Sequence, residues 1–280
     1  MKLEKRLDKL STIDNLYKFN YGAFWLHFLS AVALIIVFSI RTEEANFNTD
    51  LFTYKIVNLT SGDREVELEM YKYLDVSTQA LEVILILVFL LTSFFHYYYA
   101  TNGLGSGNYA KEIRKGFNRY RWAEYAITST LMIFIFAIIS GVKDFDTTLS
   151  LCALNAVLMS FGYFVELTPD RKSKLIGLGI GFAILAYIWY VIFRNFFHRV
   201  EEVKDIGRNL PDWLYGVLIP MFFWWLSFGI VASLKVSNMD KKGYDFKKYE
   251  LFYIILSYMS KAFMGYYLTY GLLRENPSDD

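Results

Sequence analysis

Seven stretches of this 280-residue chain, near 21–40, 79–100, 122–142, 148–167, 175–193, 213–234 and 251–273, run apolar over about 20 residues each. That is the length an α-helix needs to cross roughly 30 Å of hydrocarbon. In a bilayer core no water satisfies backbone N–H and C=O groups, so such a segment must close its hydrogen bonds within itself, as a helix does. The pattern predicts an all-α membrane protein, a seven-transmembrane-helix bundle forming one domain over residues 1–280. Composition agrees, with 55% of residues hydrophobic and 19% aromatic, far from the balance of a soluble domain. The first stretch ends in "AVALIIVFSI", follows a charged leader and lacks a small-residue cleavage site, so it is read as helix one and not as a signal peptide. The 29 basic and 28 acidic residues give a net charge of +1, which argues against nucleic acid as a partner.

Orientation follows from lysine and arginine, which are retained on the cytoplasmic side. Lys2, Lys5, Arg6, Lys9 and Lys18 precede helix one, and Lys111, Arg114, Lys115 and Arg119 lie between helices two and three. Lys235, Lys241, Lys242, Lys247 and Lys248 lie between helices six and seven. The opposite loops are acidic, with Glu43, Glu44, Asp50, Asp63, Glu65, Glu67 and Glu69 in the first and Glu201, Glu202 and Asp205 in the fifth. The N-terminus is therefore expected in the cytoplasm and the C-terminus outside, in the plasma membrane. The first outer loop, 41–78, alternates apolar and polar residues on both sides of Ser61-Gly62-Asp63, the pattern of an extracellular β-hairpin. Its edge could pair with a second copy in a homodimer or simply cap the bundle. Asn58-Leu59-Thr60 is a glycosylation sequon on the same side.

Against this background Lys261, in "SYMSKAFMGYYL", is out of place, because it lies about ten residues from either end of helix seven. A charge at the bilayer centre costs on the order of 2.5–3.5 kcal/mol even on insertion scales, and no helix end is near enough for the side chain to reach water. The amine must either pair with a carboxylate or be made covalent as a Schiff base. The spans offer Glu82, Glu124 and Glu166. Glu82 and Glu166 sit near helix ends and are read as wetted terminal residues. Glu124 stacks with Thr128 and Met132 on one helical face with Ser129 beside it, and Arg121, a turn before, is either a basic flank or its salt-bridge partner. His27 and His96 fall at similar depth in the inner halves of helices one and two, which points to a polar cavity there.

Seven helices with a midplane lysine in the last and R-W-x-E in the third resemble a retinal-binding rhodopsin. "RWAEYAITSTLM", the reversed basic-loop pattern, the hairpin after helix one, "FNYGAFWLH", "SFFHYYYATNG" and "SYMSK" together resemble the heliorhodopsin family over nearly the whole chain. The resemblance implies all-trans retinal held as a protonated Schiff base on Lys261, with Glu124 as its carboxylate counterion. It places His27 and His96 in the cytoplasmic polar cavity, and Ser257 and Asn155 at family polar positions. Thr128, Ser129 and Trp122 join them on the chromophore site. Ser30 and Leu226 depart from the glutamine and asparagine of some members. By composition alone, Met132, Tyr187, Trp189, Trp224 and Trp225 are candidates to sandwich the polyene.

Other signals are weaker. "GLGIGF" in helix five follows no strand, so close helix contact is the better explanation than a nucleotide loop. Cys152 is single and no Ser-His-Asp or H-E-x-x-H arrangement occurs, so the chain is not expected to be an enzyme. "KKGYDFKK", between helices six and seven, is a solvated basic flank or a site for anionic lipid or a cytoplasmic signalling partner. No output domain is expected within the chain, so a signal would leave through the loops or the surrounding lipid. Three functions remain: a light sensor signalling by conformational change, a light-gated passive channel or weak transporter, and, least supported, a Schiff-base enzyme on a lipid carbonyl.

Overall fold

A computed structural model describes residues 2–40, 48–59, 66–101 and 107–273. The elements run α1 (Lys2–Leu10), α2 (Ile13–Ile40), β1 (Asn48–Leu59), β2 (Val66–Ser77), α3 (Thr78–Thr101), α4 (Asn108–Lys115), α5 (Arg119–Ile139), α6 (Phe145–Leu167), α7 (Arg171–Asp205), α8 (Asp212–Asn238) and α9 (Phe246–Leu273). The long helices α2, α3 and α5 to α9 correspond to the seven apolar stretches. Six of them are long and apolar enough to cross a membrane on length and composition alone. The further helix, α9, carries Lys247, Lys248, Glu250 and Lys261 within its length.

Local chemistry sets the helix ends. Asn118, Asp144 and Asp170 each accept a hydrogen bond from the backbone N–H three residues on, at 3.1, 2.6 and 2.8 Å, and so cap α5, α6 and α7; such a cap is worth about 1 kcal/mol. α5 stops at Ile139, short of the expected 142, because Gly141 adopts φ 89° and lets Val142 N–H turn back to Ala137 O at 3.0 Å. α2 begins earlier than expected, where Thr12 Oγ1 accepts from Asn15 N–H at 3.2 Å. α7 continues through the polar sequence "RNFFHRVEEVKD" to Asp205. The short helices α1 and α4 carry no apolar run long enough to have been expected.

Successive long helices pack side by side, and α9 returns to α2 and touches α3, so the bundle closes on itself. α5 is its most enclosed helix, with Met132, Ile133 and the run Ile135–Ile139 all buried, as befits a helix surrounded by others. Two apolar clusters result. One, around α5, Val88, Phe89, Trp189, Val217 and Met264, fills the half next to the hairpin; the other, around Leu16, Tyr99, Tyr109, Ile113 and Ile254, lies at the end where α4 sits. Outward faces stay apolar, for instance Leu29 and Phe94, a surface suited to membrane lipid.

β1 and β2 pair antiparallel from Asn48↔Ser77 to Leu59↔Val66, with irregularities at Leu51/Phe52 and Ile56/Asn58. The hairpin docks on the α5–α6 turn: Phe52 N–H donates to Lys143 O at 2.8 Å, Thr53 Oγ1 donates to Asp146 at 3.2 Å, and the Tyr73 and Phe145 rings lie 4.2 Å apart. It is thus a hairpin that caps one end of the bundle. The expected turn at Ser61-Gly62-Asp63 and Thr60 of the sequon lie outside the described residues.

Candidate functional site

Between the two apolar clusters lies a buried polar layer, and Lys261 is its centre. Its Nζ donates to Ser257 Oγ at 2.8 Å and to Glu124 Oε1 at 3.3 Å. Ser257 reaches it because it lies one turn earlier on the same face of α9. Glu124 comes across from α5, and Thr128, which shares its face, spends its hydroxyl on Glu124 O at 3.0 Å. The Tyr125 ring stands 5.3 Å from the amine, a cation–π contact. Lys261 is 3% and Glu124 1% exposed, so the pair is desolvated. Losing either partner of such a pair costs about 3–5 kcal/mol, because the survivor is a buried lone charge.

Arg121 does not pair with Glu124. It is buried and forms ion pairs with Glu166 of α6 and Glu250 of α9, while Lys235 of α8 reaches Glu166 at 2.5 Å. This corrects three sequence expectations. Glu166 is not a wetted terminal residue, Lys235 is not a loop cation but a second buried amine, and Glu82, expected to be wetted, is also buried. The helices run past the apolar windows, and α4 with the first turns of α9 covers the end where Glu166 and Lys235 meet Arg121. Asn118 ties into the same group, its Nδ2 donating to Glu250 Oε1 at 2.7 Å and its N–H to Glu166 Oε2 at 3.0 Å.

His27 and His96 do come together, their rings stacked 5.5 Å apart at 8°. His27 also meets Tyr258 edge-on at 5.4 Å, one residue after Ser257. His96 Nδ1 lies 2.8 Å from Asn20 Oδ1, while His96 Nε2 and both nitrogens of His27 are buried with no protein partner among the described residues.

An apolar cavity runs from Lys261 and Ser260 between α5, α6, α7 and α8. Trp122, Tyr125, Ser129, Met132 and Trp225 line it, with Phe182, Leu185 and Phe228. Its shape depends on glycine. A Cβ at Gly162 would run into the Trp122 ring, and one at Gly229 would stand 2.8 Å from Phe182 Cε1. An apolar, aromatic-walled slot with a primary amine at one end fits a polyene aldehyde. Lys261 would hold it covalently, and Met132, Trp122, Trp225 and Phe228 would clasp it.

The remaining candidates lie elsewhere. Asn155 reaches the cavity only through Ser129, donating to its Oγ at 2.7 Å and to Thr130 Oγ1 at 3.1 Å. Trp189 is buried behind Trp225, 5.9 Å away, and Trp224 is half-buried off the cavity. Tyr187 is 55% exposed and faces outward, since the inward face of α7 is Leu185, Ile188, Trp189 and Ile192; it and Trp224 drop out of the ring pocket. Tyr125 was missed, although Tyr125, Ser129 and Met132 follow one helical stripe that includes two expected residues.

By fold, the chain resembles solved microbial rhodopsins. The transmembrane domain of Salpingoeca rosetta rhodopsin phosphodiesterase matches with TM-score 0.64 at 13% identity, over 97% of this chain and 88% of that one. Exiguobacterium sibiricum rhodopsin matches with 0.64 at 13%, over 94% and 97%, and the light-driven proton pump LR (Mac) from Leptosphaeria maculans with 0.64 at 13%, over 92% and 95%. At these identities the likeness concerns the fold. Among curated protein sequences none matches. The family model for heliorhodopsin matches residues 16–273, a range that holds the buried lysine, its carboxylate and the histidine pair, and the chain belongs to the heliorhodopsin family.

Proposed function

We propose that this retinal photoreceptor is a light sensor that signals by conformational change without pumping ions, with all-trans retinal carried on Lys261 as a protonated Schiff base and Glu124 as counterion. The observation that carries the proposal is the Lys261 Nζ facing one carboxylate at the end of an apolar cavity. Retinal bound there supplies absorption of visible light and a change of shape. Glu124 balances the positive charge at the Lys261 nitrogen, and Ser257 fixes that nitrogen's direction by hydrogen bonding. His27 and His96 stand ready to hold a proton released at Glu124, His96 at its free Nε2.

A sensor is favoured over a transporter because the half of the bundle next to the hairpin is filled. Met132 to Ile139 of α5 pack against apolar neighbours, and Glu82 is the one buried carboxylate in that half among the described residues. A proton that leaves Glu124 for the histidines has its return path open and no onward one. Whole-cell current under illumination, at zero membrane potential and symmetric pH, is therefore expected to be nil. A steady current there contradicts the sensor assignment, and current only under an applied gradient supports a passive channel.

The same proposal puts the α4 end in the cytoplasm, where Lys18, Lys111, Arg114 and Lys115 gather, the hairpin outside, and the protein in the plasma membrane. A signalling partner would meet it on the cytoplasmic side. A homodimer through the hairpin is part of it, since β2 leaves Met70, Tyr71 and Tyr73 exposed. Tyr71→Cys tests both points. It is expected to react with an impermeant maleimide on intact cells and to cross-link two copies on oxidation; an unlabelled cysteine refutes the orientation, and a labelled one that never cross-links refutes the dimer.

A further inference from the structure

One chain of hydrogen bonds leads from the histidine pair to the buried ion cluster, and its donors all point the same way. Asn20 Nδ2 donates to Leu16 O at 2.8 Å, and a carbonyl can only accept, so the orientation of the Asn20 amide is fixed. Its Oδ1 then faces His96 Nδ1 at 2.8 Å, and that nitrogen must carry the proton. Asn20 Nδ2 also donates to Tyr109 Oη at 3.0 Å, and Tyr109 Oη donates to Glu250 Oε1 at 3.4 Å. Glu250 in turn is the partner of Arg121 and Asn118. His96, Asn20, Tyr109 and Glu250 are all buried. An amide does not take up and pass on a proton, so the chain conveys polarisation and position, not charge. Aligned bonds of this kind strengthen one another in a low-dielectric interior.

Tyr109 belongs to α4, and α4 faces the α4 end with Lys111, Arg114 and Lys115 exposed. The helix is held to the bundle by Tyr109 and by Glu112, whose Oε1 pairs with Arg119 Nε at 2.6 Å. Building on the light-sensor proposal, we infer that Tyr109 is the positioning residue through which the histidine pair moves α4, making the basic face of that helix the output surface. Positive charge gained at His96, which His27 and Tyr99 also flank, strengthens its donation to Asn20, draws the amide toward the ring and shifts the Tyr109 hydroxyl between Asn20 and Glu250.

The test uses the full chain reconstituted with all-trans retinal, carrying Cys152→Ser and a nitroxide on Lys115→Cys. In that parent, illumination is expected to change the label's spectrum. Tyr109→Phe keeps the ring contacts with Tyr99 at 5.4 Å and Tyr17 at 5.6 Å and removes only the hydroxyl. It is expected to keep the visible absorption maximum while the light-dependent change falls several-fold. Asn20→Leu, which deletes the middle link, should show the same loss. An undiminished change in either pigmented variant, or no change in a pigmented parent, overturns the relay alone. A parent with no visible band overturns the retinal attachment and the relay with it.

Discussion

Lys261→Ala is expected to leave a protein that gains no visible absorbance when all-trans retinal is added. The cavity is lined by one amine, and removing it removes the nucleophile. Lys235 is the other buried amine of the spans, but Glu166 holds it at 2.5 Å in an ion cluster with Arg121, and it does not line the cavity. The substitution also strands Glu124 as a buried carboxylate without a partner, at a cost of about 3–5 kcal/mol. The double variant Lys261→Ala/Glu124→Gln removes both charges and should be better folded than the single one and equally colourless. Absorbance in a variant lacking Lys261 refutes the attachment site.

Glu124→Gln is the complementary case. Gln keeps the shape of the side chain and removes the charge that balances the nitrogen 3.3 Å away. At that distance, with an effective dielectric of about 20, the attraction is roughly 5 kcal/mol. The protonated nitrogen loses that support, so the pigment should give up its proton at a lower pH. The colour should move to the red, because light shifts positive charge along the polyene, away from the carboxylate, and that shift is opposed less once the carboxylate is gone. An unchanged spectrum and titration would place the counterion elsewhere, with Glu82, buried near the hairpin, the next residue to examine.

The seven helices and the Lys261–Glu124 pair could be read in the sequence because each rests on a strong local contrast: about 20 apolar residues, or one charge inside them. The histidine pair could be read from depth alone. The ion cluster could not. Arg121 and Glu250 lie in the first turns of α5 and α9, Glu166 and Lys235 in the last turns of α6 and α8, where a charged residue ordinarily meets water, and the packing of α4 and α9 over that end buries them. Tyr187 and Trp224 show a different limit. In a chain that is 19% aromatic, composition does not say which rings face inward, and a helix in lipid has apolar residues on both faces, so periodicity gives no sign of the inward side. Tyr109 was hidden for a third reason, because α4 is too short to stand out in a loop.

Whether Lys261 carries the chromophore is decided most directly by chemical trapping. The purified chain, incubated with all-trans retinal, is reduced with borohydride, digested and mapped by mass spectrometry. The expected result is a visible band that disappears on reduction and one retinyl-modified peptide, with the modification on Lys261. A modification on Lys235, or no adduct in a folded protein, would contradict the assignment.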